Sequence, residues 1–169
     1  LRRGNETEVF GRSFKLGALF ALLFALVVAV QGHFHGNEVA KVQPAKLAAM
    51  EAHWETEKGA GMYLLQLPDV ENEKNMVAAI KIPKLLSLLA YNDPNAEVKG
   101  LKDFPEDERP PVWINFLSFR LMVGLGTLFI FVAAWAWLVR KNPGEKTLLM
   151  KLLVYMIPLP YIAIFAGWT

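Results

Sequence analysis

Trp113 to Val139 reads W-I-N-F-L-S-F-R-L-M-V-G-L-G-T-L-F-I-F-V-A-A-W-A-W-L-V, and it carries one charge, Arg120. A bilayer core about 30 Å thick is crossed by roughly 20 helical residues. A lipid-facing backbone must satisfy its own polar groups, so this run is expected to be a membrane-spanning helix over residues 113–139. Two further runs share its composition. Residues 14–31 are almost wholly Leu, Ala, Phe and Val, with Lys15 placed to snorkel. Residues 148–168 hold one charge, Lys151, near the start. With 54% apolar residues in 169, the chain is richer in them than most soluble domains.

Charge sets the expected orientation. Arg2, Arg3, Arg12 and Lys15 outweigh Glu6 and Glu8 in the flank 1–13, and Arg140, Lys141, Lys146 and Lys151 outweigh Glu145 around the short loop 140–147. The long segment 32–112 holds nine basic and thirteen acidic residues. Short basic loops stay in the cytoplasm, so the flank and the 140–147 loop are expected inside and the long loop on the exoplasmic face. A cysteine placed at Asn95 should therefore label from outside and one at Asn142 from inside; labelling of the Asn142 position from outside would contradict this topology. The net charge of +2 hides the asymmetry and gives no sign of a nucleic-acid partner. There is no cysteine, which excludes disulfides, thiol redox chemistry and cysteine-based zinc sites. The first residue is not Met and the last three are Gly167-Trp168-Thr169, as expected of a piece of a longer protein.

The long loop begins Q-G-H-F-H-G-N-E-V-A-K-V-Q-P-A-K-L-A-A-M-E-A-H-W-E-T, Gln31 to Thr56. Gly32, Gly36 and Asn37 suit a sharp exit from the first span. Pro44 suits a helix start, and Gln43 to Glu55 reads as a short helix on which Leu47, Met50, Glu51 and Trp54 share a face. A second helix-prone piece, Asn75 to Tyr91, is broken at Pro83; Tyr91 to Pro111 is rich in turn residues. Proton-exchanging groups at a membrane edge suit a small lipid-soluble redox molecule. Lys46 and Glu51 fit contacts to such a molecule or ordinary surface charges; Met50 and Trp54 fit a pocket wall or a lipid anchor. His33 and His35 would face one way on a strand and could hold a metal there, or could be plain interfacial residues.

Arg120 lies seven residues into its span. An intramembrane Arg marks a functional site by default, by pairing with an anion such as a haem propionate or a carboxylate, unless it snorkels to the surface. Met122, two residues on, is packing in most spans, although a thioether can ligate haem iron. Gly124 and Gly126 allow close approach of a helix or a flat cofactor.

The Gln31–Thr56 motif resembles the start of the Q-loop of subunit I of cytochrome bd-type quinol oxidases, in the short Q-loop class. F-R-L-M-V-G-L-G, Phe119 to Gly126, resembles that family's haem-ligand helix. I-P-L-P-Y-I-A-x-x-A-G-W, Ile157 to Trp168, resembles the helix after it. The resemblance implies three transmembrane helices of a larger all-α bundle, joined by an exoplasmic loop with short helices. It implies a quinol:oxygen oxidoreductase of a bacterial or archaeal cytoplasmic membrane, oxidising ubiquinol or menaquinol outside and reducing oxygen. Subunit II and small accessory subunits would be its partners. Lys46 and Glu51 match the residues implicated in quinol oxidation. Met122 matches the axial ligand of a low-spin b haem, and Arg120 the Arg beside it. A high-spin b haem and haem d would have their ligands outside this chain, as would the low-spin haem's His. The other reading is a non-redox polytopic protein, a transporter segment or structural subunit, with Arg120 paired to a transmembrane carboxylate and Lys46 and Glu51 at the surface.

Overall fold

The computed structural model describes residues 7–141 and 146–168. The start of the basic flank (residues 1–6, with Arg2, Arg3 and Glu6), the centre of the short loop with Asn142 and Glu145, and Thr169 lie outside them. The architecture is mainly helical, as expected. Helix α1 (Thr7–Val42) and helix α4 (Val112–Leu138) are long and apolar enough to cross a membrane. Helices α5 (Thr147–Tyr155) and α6 (Leu159–Gly167) are bent by 43° at a short break and together make a third candidate span. The break falls where Pro158 has no N–H to give to the Val154 carbonyl; Ile157 donates to that carbonyl instead, at 3.3 Å. The run 148–168 is therefore two helices with a bend between them, a broken span or a re-entrant loop, and not a straight helix. Apolar side chains such as Phe24 and Phe131 remain exposed on α1 and α4, as lipid-facing surfaces do.

The sharp exit expected at Gly32 to Asn37 is absent. Helix α1 continues through both glycines to Val42, about 54 Å at 1.5 Å per residue. Tertiary contacts outweigh the glycines' helix penalty of roughly 1 kcal/mol each. Ala40 packs in a core with Leu47, Ala60, Leu86, Ala90 and Val98. Asn37 donates to the Leu89 carbonyl at 2.5 Å and also bonds Asn92, while Tyr91 donates to the Ala40 carbonyl at 3.1 Å. On a helix, His33 and His35 cannot face one way, which removes the strand-type metal pair. His33 pairs with Asn92 and His35 with Gln31. No cluster of three or more metal-binding side chains occurs among the described residues.

The loop is not purely helical. After α2 (Pro44–Met50) and the short strand β1 (Glu57–Lys58) comes an antiparallel hairpin, β2 (Met62–Asp69) with β3 (Lys74–Ile82). The helix expected from Asn75 is thus a strand up to Ile82, and only α3 (Leu85–Tyr91) beyond Pro83 is helical. The hairpin turn is held by Asp69, which accepts from the Asn72 N–H at 3.2 Å and side chain at 2.8 Å. The short strand β4 (Glu97–Val98) pairs with β1. Two 3₁₀ turns, Leu101–Asp103 and Glu106–Glu108, lead into α4. Gly100 makes the join possible: its N–H donates to Thr56 Oγ1 at 2.8 Å, and a Cβ there would collide with the Trp54 carbonyl.

Candidate functional site

Helix α2 ends one residue before Glu51, so Glu51 and Trp54 do not share its face. The end is a Schellman turn. Ala52 takes the left-handed position, φ 43°, usually filled by Gly. His53 N–H donates to the Ala48 carbonyl at 2.8 Å and Ala52 N–H to Ala49 at 3.2 Å. The carbonyls freed by this reversal are taken by the hairpin. Gln66 Nε2 donates to the Glu51 and Ala52 carbonyls at 3.0 and 2.9 Å, and Asn75 Nδ2 to Ala52 at 3.1 Å. Asn75 Oδ1 accepts from the Trp54 indole at 3.1 Å. Ala48, Ala49, Ala52, Trp54 and Leu101 pack with Val112 and Phe116 of α4.

This frame turns the Glu51 carboxyl inward, leaving its side chain 3% exposed and 2.9 Å from Arg120 Nη2. Arg120 Nη1 also donates to the Leu64 carbonyl at 3.3 Å, and the guanidinium lies 5.3 Å from the Phe116 ring centroid. Arg120 therefore has a carboxylate partner, but one from the loop, and Glu51 is not a surface charge. Burial pushes the Glu51 carboxyl up from 4.5 to about 7. Arg120 opposes this and loses, because its own side chain is still partly solvated and its charge screened. The folded form thus favours the protonated acid. That contribution to stability is complete below about pH 4.5 and is lost as pH rises through about 7. A carboxyl poised near neutrality can take up and give back a proton under ordinary conditions.

A cleft of about 310 Å³ adjoins the pair, with Glu51, His53, Trp54, Gln66, Tyr63 and Lys81 among its walls. Trp54 is thus a pocket wall and not a lipid anchor. Lys46, half-buried on α2, does not line this cleft. His53 and Gln66 carried no role in the sequence reading. His53 sits inside the quoted motif; Gln66 gives no sequence signal, since only the fold brings it to the end of α2.

Met122 belongs to a separate region. It lines an apolar groove of about 850 Å³ formed by α1, α4, α5 and α6. Much of the lining is small: Gly17, Ala18, Ala21, Gly126, Ala163 and Gly167. The Met122 sulfur lies 3.1 Å from where a Cβ on Gly167 would stand, so the thioether packs closely against this glycine. A groove of this size, walled by small residues beside a thioether, fits a flat apolar cofactor such as haem.

Comparison with known proteins bears on the family. The family model for cytochrome bd terminal oxidase subunit I matches residues 1–169. Cytochrome bd ubiquinol oxidase subunit 1 of Bacillus subtilis is 34% identical, over 99% of this chain and 38% of its own length. Cytochrome bd-II ubiquinol oxidase subunit 1 of Escherichia coli is 29% identical, over 99% of this chain and 46% of its own. The solved structure of bd oxidase from Geobacillus thermodenitrificans superposes with a TM-score of 0.78 at 38% identity, covering 91% of this chain and 36% of that one. The chain spans less than half the length of the curated relatives it matches. A family match over residues 1–169 and a shared fold agree: the chain belongs to the cytochrome bd terminal oxidase subunit I family.

Proposed function

We propose that this chain is the quinol-oxidising and haem-ligating segment of a bacterial cytochrome bd-type quinol:oxygen oxidoreductase, with its long loop on the exoplasmic face. The observation that carries this reading is the Glu51–Arg120 pair: a carboxyl poised near pH 7, buried, and held by a cation of the haem-ligand helix. Quinol oxidation releases two protons with two electrons, so the site needs a proton acceptor shielded from bulk water. Glu51 is that acceptor. Lys46 on α2 contributes to quinol binding. Ubiquinol or menaquinol is the donor, oxygen the final acceptor, and subunit II, with or without small accessory subunits, the partner.

Met122 is the residue that would hold the low-spin b haem. The small-residue groove would admit the ring, and the second axial ligand would come from a helix outside this chain. Arg120 keeps one buried donor, Nε, without a hydrogen-bond partner among the described residues, which suits a further anionic group such as a haem carboxylate. A b haem bound there supplies one-electron transfer, and thioether ligation raises its potential. High-spin haem b and haem d belong to the rest of the subunit. The test is direct. The purified intact complex should show reduced-minus-oxidised haem bands and quinol-driven oxygen uptake; a preparation without haem bands would return the chain to the non-redox class.

A further inference from the structure

Glu51 can accept a proton, but its carboxyl is 3% exposed, so the proton needs a way out. His53 is two residues on, across the Schellman turn, and lines the same cleft. The backbone of Val98 on β4 lies beside the ring and favours its protonated form. One ring nitrogen, Nε2, is buried and has no hydrogen-bond partner among the described residues. Buried polar atoms are almost always paired, and the exceptions call for an explanation. When the neutral ring carries its proton on Nδ1, Nε2 holds the lone pair that can take up another. The charged groups around the ring are Glu55 and Glu57 on the loop and β1, and Lys81 on β3. Glu57 pairs with Lys81 at 3.1 Å and Glu55 with Lys102 at 2.5 Å, and both carboxylates reach solvent at the rim. Burial lowers the His53 pKa, and the Val98 backbone and the two carboxylates oppose it only in part. A cleft of about 310 Å³ has room for several waters.

We infer that His53 is the proton-exit residue of this site, taking the proton from Glu51 through water in the cleft and passing it to exoplasmic solvent beside Glu57 and Glu55. In the first transfer the O–H bond of the Glu51 carboxyl breaks and an N–H bond forms at His53 Nε2; no electrons move. In the second, that N–H bond breaks to water and the neutral ring returns. His53 acts through Glu51 and does not touch quinol. The inference rests on the quinol-oxidation reading above.

The test uses the intact oxidase. His53→Gln should lower kcat about tenfold, less than the ~10²–10⁴ of a general acid–base group itself. KM for quinol and the haem spectrum should be unchanged, the solvent deuterium isotope effect on kcat should rise, and added imidazole should restore much of the rate. An unchanged kcat and isotope effect, or a loss that imidazole does not restore, overturns the relay. If His53→Gln does not assemble, His53→Glu decides: it keeps a proton-exchanging group and should retain most of kcat with its pH profile moved to lower pH. An unmoved profile, or failure of both variants to assemble, makes His53 structural and overturns the inference. Glu51→Gln separates the two claims. If Glu51→Gln turns over normally, the quinol-oxidation reading fails. If Glu51→Gln is slow while His53→Gln is normal, only the relay fails.

Discussion

Replacing Met122 by Leu is expected to destroy the low-spin b haem while leaving the helix in place. Leu nearly keeps the volume, so repacking should cost less than about 1.5 kcal/mol. The apolar groove and the small residues facing Met122 stay as they are. What disappears is the thioether sulfur, and with it the proposed axial ligand, a type that favours reduced iron. The haem should turn high-spin or be lost, its potential should fall, and quinol oxidase activity should fall with it. A redox titration of the purified variant, followed at the haem bands, checks this. A normal low-spin spectrum and midpoint potential would make Met122 a packing residue only.

Glu51→Gln should give the opposite pattern, an intact haem spectrum with kcat reduced by ~10² or more. Gln keeps the shape and can still accept a hydrogen bond from Arg120, so the Schellman turn and the Gln66 and Asn75 bonds survive. It cannot take a proton. Lys46→Ala should instead raise KM for quinol with little change in kcat, as loss of ground-state binding does. Normal kinetics in both variants would return these two residues to structural roles.

The candidate spans were legible because lipid imposes a simple composition rule; the bend at Pro158 was not read from the sequence, although the missing N–H is its cause. The extension of α1 was not. Gly32, Gly36 and Asn37 carry turn preferences, and what overrides them is packing of Ala40 and hydrogen bonds of Asn37 to α3, some fifty residues away. The hairpin was missed because Met76, Val77 and Ile80 fit a helical stripe as well as a strand, and short apolar runs do not separate the two periods. The Glu51–Arg120 pair joins residues 69 apart. Each was visible singly, as an intramembrane Arg and a motif carboxylate, but no local spacing links them. The end of α2 was hidden too, since its left-handed residue is Ala52 and the carbonyl partners come from β2 and β3.

The most direct measurement is the pH dependence of quinol oxidation in the intact oxidase, on either side of pH 7, compared with Arg120→Ala and Glu51→Gln. Glu51 must be ionised to accept a proton, so the rate of the unmodified enzyme should rise with pH through about 7. Removing the Arg120 charge leaves burial unopposed, raises the Glu51 pKa further and should move that limb to higher pH. In Glu51→Gln the limb should vanish along with most of the rate. A limb near pH 7 that persists unchanged in Glu51→Gln would contradict the assignment of Glu51 as the proton acceptor.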